Sequence, residues 1–110
     1  MEESPTCAVR YTVHGDWPTG FTSQIWIRNI GTDPIDGWDL EWEMPAGQSV
    51  AHHWSSTMTT EGATVTATNL SWNAGILAGQ EITIGFAGAK PFGEAAAVPT
   101  WFRLNGGACE

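Results

Sequence analysis

The sequence predicts an all-β domain, folded as a sandwich of two antiparallel sheets. Apolar residues recur with period two, and no stretch of a dozen residues shows helical periodicity. Gly, Pro, Asn and Asp cluster between the alternating stretches and supply turn conformations. Many short, evenly spaced strands are typical of a sandwich. The predicted strands are 8–13, 22–29, 37–44, 48–54, 57–61, 64–68, 80–87 and 100–105.

Strand parity gives each of the first strands an inner and an outer face. Strand 8–13 opens the domain with the alternating stretch AVRYTV. In strand 22–29, Ile25 and Ile27 share the inner face, because successive side chains of a strand point to opposite sides. Gln24, Trp26 and Arg28 then lie outside, and we expect Trp26 to be exposed or covered by a neighbouring loop. In strand 37–44 the inner residues are Trp38, Leu40, Trp42 and Met44, and the outer ones are Asp39, Glu41 and Glu43.

The later strands follow the same rule between Gly- and Pro-containing turns. Strand 48–54 ends in AHHW, strands 57–61 and 64–68 are separated by a turn at TEGA, and strand 80–87 carries the alternating stretch EITIGFA. In strand 100–105, Phe102 and Leu104 take the inner face, and Trp101 lies outside as a surface indole.

Length and charge restrict the domain organisation and the partners. The chain has 110 residues, 42% of them apolar, which suits one domain with one core. Residues 1–6 lack the pattern of a signal peptide and are interpreted as a tail or linker remnant of a processed fragment, and 7–109 as a single module. No apolar run is long enough to span a bilayer. A net charge of -8 repels phosphate backbones and anionic lipids, so we expect neither nucleic acid nor a membrane as partner.

The two cysteines lie almost at the two ends of the sequence. Cys7 and Cys109 are not part of a CxxC motif, and small neutral residues surround them. We expect a disulfide, which indicates an oxidising, secreted and extracellular setting. Two free thiols or half of a metal site are the alternatives.

Seven tryptophans in a chain of this size cannot all be buried. Parity assigns Trp38 and Trp42 to the core. Trp17, Trp54 and Trp72 lie beside turns, where each could be exposed or could close one end of the sandwich.

The sequence offers little for catalysis or metal binding. Glycoside hydrolysis needs two carboxylates that face each other, whereas Asp39, Glu41 and Glu43 form a row on one strand face. His52 and its neighbour His53 point to opposite faces, so they cannot chelate a metal together. We therefore expect a binding domain with no catalytic residues, no metal and no cofactor.

The motifs of the chain, in their order, resemble those of family 2 carbohydrate-binding modules, the cellulose-binding domains of bacterial secreted enzymes. The resemblance runs from Cys7 to Cys109 and includes CAVRYTV, DWPTGF, IRNIGTDPIDGWDLEWEMP, HHWSST, NLSWNAGILAGQ, IGFAG and FRLNGGAC. It implies a two-sheet jelly roll whose ends are joined by the Cys7–Cys109 disulfide. It also implies that Trp17, Trp54 and Trp72 form a flat aromatic row on an insoluble β-1,4-linked polysaccharide.

The resemblance further implies a ligand and a setting. The presence of Trp54, with Gly at position 20, is similar to the cellulose-binding subgroup and unlike the xylan-binding one. Crystalline cellulose is the expected ligand, chitin (alone or with cellulose) the alternative, and xylan a minor one. We expect a monomeric module attached covalently to a secreted catalytic domain. Of the polar positions that usually surround the row, only Gln24 retains an amide; His52 stands at another, and Trp26 could widen the aromatic face.

Overall fold

The computed structural model describes residues 5–110. The predicted tail 1–6 therefore lies mostly outside the described residues. Within the described part, the chain alternates between strands and turns and forms no helix. The strands are β1 (Cys7–Trp17), β2 (Gly20–Asn29), β3 (Ile35–Asp36), β4 (Asp39–Glu43), β5 (Ser49–Trp54), β6 (Ser56–Glu61), β7 (Thr64–Asn69), β8 (Gly75–Ile76), β9 (Glu81–Ala89), β10 (Arg103–Leu104) and β11 (Gly107–Ala108).

Two antiparallel sheets enclose the core. The front sheet has the strand order β1-β2-β9-β5, and the back sheet has the order β11-β10-β4-β7-β6. A short pair, β3 with β8, lies apart from both. The predicted all-β sandwich is confirmed, and every predicted strand overlaps an observed one.

The main difference from the predicted strands concerns β1. It continues past residue 13 as far as Trp17, with a register shift between Val13 and Gly15. A bulge of this kind interrupts the period-two pattern, so the alternation alone ends the strand too early. Strands β3, β8 and β11 have two residues each, which is too short to show any periodicity.

The core confirms the parity assignments. Trp38 and Trp42 are buried, as are Ile25 and Ile27. The ring of Trp42, from the back sheet, stacks on Phe86, from the front sheet, with centroids 6.0 Å apart. Burial of each large apolar side chain contributes about 1.5–3 kcal/mol, so these inward faces are the main source of stability.

The disulfide between Cys7 and Cys109 is formed, as expected. Cys7 begins β1 at one edge of the front sheet, and Cys109 follows β11 at one edge of the back sheet. The bond therefore joins the two sheets and closes a loop with a sequence separation of 102 residues.

Candidate functional site

The outer face of the front sheet carries most of the predicted site residues. On β2, Phe21, Ile25 and Ile27 are buried, so Gln24 and Trp26 lie on the opposite face. The pairing of β2 with β9, and of β9 with β5, extends this face across the sheet. Its central residues are Thr22, Gln24, Trp26, His52, Trp54, Thr83, Gly85 and Ala87.

Trp17 ends β1 and lies against two glycines of this face. A Cβ built on Gly20 would stand 2.8 Å from Nε1 of Trp17, and one on Gly15 would stand 3.5 Å from the six-membered ring. The absence of side chains at both positions lets the indole approach the backbone closely. The side chain nevertheless remains exposed, at 44%.

Trp54 rests on a glycine in the same way. It ends β5 directly opposite Gly85 of β9, and a Cβ at Gly85 would lie 2.4 Å from three atoms of the indole. No side chain larger than hydrogen fits beneath the ring in this position. Trp54 is thus held against the outer face of the sheet while 45% of it stays open to solvent.

Trp72 lies in the turn between β7 and β8 and is 69% exposed. The next residue, Asn73, is buried and fixes this turn. Its side-chain amide donates to the carbonyl of Ser55 at 2.6 Å, and its backbone carbonyl accepts the indole N–H of Trp38 at 2.9 Å. Because Ser55 directly follows Trp54, the turn that carries Trp72 is attached to the end of β5 that carries Trp54.

The glycines under Trp17 and Trp54, called here the glycine seats Gly20 and Gly85, are separated along the sheet. Gly20 lies on β2, and Gly85 pairs with Gln24, four residues further along β2. Four residues along one strand and one step to the next strand give ~14 Å between the two seats. By strand register, Thr22 and Ala87 lie midway between the two seats. The half-buried Gln24 is level with Gly85, and the exposed His52 on β5 pairs with Ala87. Gln24 and His52 can therefore offer hydrogen bonds beside the indoles.

Trp26 lies on the outer face, but a side chain of the adjacent strand covers it, where we expected exposure or a covering loop. The guanidinium carbon of Arg10, directly opposite on β1, lies 4.2 Å from the centroid of the Trp26 ring. The His14 ring is a further neighbour, with centroids 6.1 Å apart. Trp26 is therefore half-buried under a side chain of the adjacent strand, neither freely exposed nor covered by a loop. A guanidinium at this distance is attracted to the indole face.

The structure contains an ion pair beside Trp17 that the sequence did not predict. The side chain of Lys90, the only lysine of the chain, is buried and donates to Asp16 and to the carbonyl of Glu94. The second carboxylate oxygen of Asp16 accepts the backbone N–H of Ala96 at 3.1 Å. The hydrogen bond from Lys90, and then that from Ala96, lower the pKa of Asp16. A lone lysine in an acidic chain was the available signal for this pair.

The carboxylates of β4 lie on the other side of the molecule. Glu41 accepts a hydrogen bond from Arg103 at 3.4 Å, and Asp39 accepts one from Thr68. The Arg103 guanidinium also stands 5.3 Å from the ring of Trp101, the predicted surface indole.

Within residues 5–110 no cluster of three or more His, Cys, Asp or Glu residues is placed to hold a metal. No helix in this part of the chain is long and apolar enough to cross a bilayer.

Comparison with known proteins identifies relatives over almost the whole domain. The family model described as cellulose binding domain matches residues 7–109. Endoglucanase B of Cellulomonas fimi is 42% identical over 109 residues, which are 99% of this chain and 10% of that protein. Chitinase C of Streptomyces lividans is 36% identical over 95 residues, which are 86% of this chain and 14% of that protein. The chain thus spans a small part of each of these enzymes.

A solved structure agrees with the fold over nearly the full chain. The chitin-binding domain of Chi18aC from Streptomyces coelicolor superposes with a TM-score of 0.77 and 32% identity, covering 96% of this chain and 95% of that domain. The sheets, the disulfide and the family match agree with one another. The chain belongs to the cellulose-binding domain family and is a non-catalytic carbohydrate-binding module.

Proposed function

We propose that the module adsorbs to crystalline cellulose through Trp17, Trp54 and Trp72, called here the tryptophan platform. The observation that carries this proposal is that the fold leaves all three indoles exposed, two of them on glycine seats on one sheet face. Relatives that match the chain include enzymes named endoglucanase and exoglucanase. Their names support the glucan as ligand.

The physical basis is stacking between flat apolar surfaces. The faces of β-1,4-linked pyranose rings present C–H groups, and an indole offers apolar area and a negative π surface to them. If stacking on a sugar is similar in strength to stacking on a nucleic-acid base, each indole contributes about 1–3 kcal/mol. Trp loses little entropy on binding, because only two torsions must be fixed.

Gln24 and His52 supply the polar part of the proposed site. Gln24 is level with Gly85 on the neighbouring strand, and His52 lies on the same strand and face as Trp54, so both border the path of a glucan chain across the platform. Their side chains can exchange hydrogen bonds with sugar hydroxyls. Trp26 adjoins Gln24 along β2 and adds apolar surface at the side of the platform, with Arg10 stacked on it.

Chitin is the second candidate ligand. It also presents flat β-1,4-linked sugar faces, and the chain matches both Chitinase C and the chitin-binding domain of Chi18aC. The polar groups around the platform are few, so discrimination between two flat polysaccharides rests on few hydrogen bonds. We extend the proposal to binding of both polymers, with cellulose preferred.

The parent protein is proposed from the relatives. In Endoglucanase B and Chitinase C the matching segment is a small part of a much longer enzyme. We propose that this module likewise belongs to a secreted polysaccharide-degrading enzyme and acts as a monomer. Tethering the catalytic domain to the polymer raises its effective concentration at the surface.

Adsorption isotherms test the tryptophan platform. The purified domain is incubated with microcrystalline cellulose, chitin and insoluble xylan, and the protein left in the supernatant is measured. Trp54→Ala should bind cellulose about tenfold more weakly than the wild type, the loss expected for one indole stack. Trp101→Ala removes a surface indole from the other side of the domain and should leave adsorption unchanged. Wild-type adsorption by Trp54→Ala would contradict the assigned face, and equal losses in both variants would show that general hydrophobicity is responsible.

A further inference from the structure

Phe92 is the most exposed of the large apolar side chains in residues 5–110, at 81%. It occupies the second position of a turn in which the N–H of Glu94 bonds to the carbonyl of Pro91. Gly93, the third residue, has a φ of +80°, as a type II turn requires. Many residue types fit the second position of such a turn. The phenyl ring therefore adds almost nothing to turn formation or to the core.

The turn that carries Phe92 is firmly attached to the front sheet. The N–H of Lys90 bonds to the carbonyl of Thr19 at 3.1 Å, and the N–H of Gly93 bonds to the carbonyl of Pro18 at 2.9 Å. The buried Lys90 side chain adds its bonds to Asp16 and to Glu94 within the turn. An exposed aromatic ring is thus carried by a segment that backbone bonds and an ion pair hold in place.

The attachment points all adjoin Trp17. Asp16 directly precedes Trp17, and Pro18 and Thr19 directly follow it in the turn between β1 and β2. Through the bond between Gly93 and Pro18, the Cα atoms of Phe92 and Trp17 lie at most ~14 Å apart. This limit is similar to the spacing between the seats of Trp17 and Trp54. A shallow depression lined by Trp17, Pro18, Gly93 and Glu94 connects the two segments.

We propose that Phe92 is a fourth aromatic contact for the polysaccharide, extending the tryptophan platform beyond Trp17. The ligand is the same β-1,4-linked polymer, so the inference rests on the proposed function. A phenyl face offers sugar C–H groups the same kind of apolar and π surface as an indole, over a smaller area. Because its turn is already ordered, the ring adds contact area with little further loss of entropy on binding.

Adsorption isotherms on microcrystalline cellulose test this contact with a series at position 92. Phe92→Ala should lower the partition coefficient about fivefold, near the weak end of the range for one aromatic stack. Phe92→Trp should bind at least as tightly as the wild type, and Phe92→Leu should lie between the wild type and Phe92→Ala. Leu77→Ala is the matched control, because Leu77 is also exposed, at 57%, but lies in the loop between β8 and β9. All variants should keep the wild-type Tm.

The outcomes separate this contact from the proposed function. If the wild type adsorbs and Phe92→Ala adsorbs equally well, Phe92 is not a contact, and the tryptophan platform is unaffected. If Phe92→Leu matches the wild type, or Leu77→Ala loses as much as Phe92→Ala, the aromatic contact is also refuted. If the wild type leaves the supernatant undepleted with cellulose and with chitin, the proposed function fails and the role of Phe92 fails with it.

Discussion

The close contact between Gly85 and the Trp54 indole leads to a specific prediction about binding. In Gly85→Ala, the new Cβ would stand 2.4 Å from three atoms of the indole, whereas ordinary contact begins at 3.4 Å. The ring must therefore rise or tilt by about 1 Å at its closest atoms. It is free to do so, because 45% of Trp54 is exposed and its upper side meets solvent.

The substitution should separate binding from stability. Alanine suits a strand at least as well as glycine, and φ at Gly85 lies outside the left-handed region, so the Tm should stay close to that of the wild type. A tilted indole can no longer lie level with Trp17 against a flat ligand. We expect adsorption to cellulose to fall by about tenfold, and by no more than the loss in Trp54→Ala.

A double-mutant cycle tests whether the seat acts through the indole. If the only role of Gly85 is to seat Trp54, the double variant Gly85→Ala/Trp54→Ala should bind like Trp54→Ala alone. Gly107→Ala is the control, because a Cβ there meets nothing closer than 3.6 Å. Wild-type adsorption by Gly85→Ala would refute the seat, and a double variant weaker than Trp54→Ala would show a separate role for Gly85.

Two further predictions concern the Asp16–Lys90 ion pair and the Cys7–Cys109 disulfide. Asp16→Asn leaves the buried Lys90 without its counter-ion, so it should lower the Tm at pH 7. The pKa of Asp16 is lowered from 3.8 in the folded state, so the ion pair stabilises above that pH and is lost as the pH falls through the folded pKa. The difference in Tm between wild type and variant should therefore shrink in acid, and a constant difference would contradict this role. Reduction of the Cys7–Cys109 bond should lower the free energy of unfolding in urea by up to about 4.7 kcal/mol, because the bond closes a loop of about 100 residues. A change below about 1 kcal/mol would show that the unfolded chain is hardly restricted by the bond.

The alternating pattern was sufficient to predict the local part of the fold. Trp38 and Trp42 are buried where parity placed them, and the alternation identified every strand of the two sheets except the short β11. Such predictions succeed because the side-chain period of a strand is a property of the backbone itself. Parity also placed Gln24 and Trp26 correctly on the outer face of β2.

Features that depend on pairing between distant residues could not be read from the pattern. The cover on Trp26 comes from Arg10, whose position is set by the register of β1 with β2. The bond from Lys90 joins residues that are 74 positions apart in the sequence. The glycine seats likewise depend on which strands are neighbours, since Gly85 lies 31 positions from the indole above it. A period-two pattern contains no information about these partners.

Trp17, Trp54 and Trp72 share one physical requirement, which is that their rings are held in place before binding. A crystal face cannot adapt to the protein, so aromatic rings that are mobile before binding would lose conformational freedom on contact and weaken adsorption. The structure limits this loss in two ways: glycines lie under Trp17 and Trp54, and the buried Asn73 fixes the turn that carries Trp72. These devices lie beneath or behind the rings, where a ligand cannot touch them. Changes at such positions should therefore weaken adsorption even though they remove no contact with the polysaccharide.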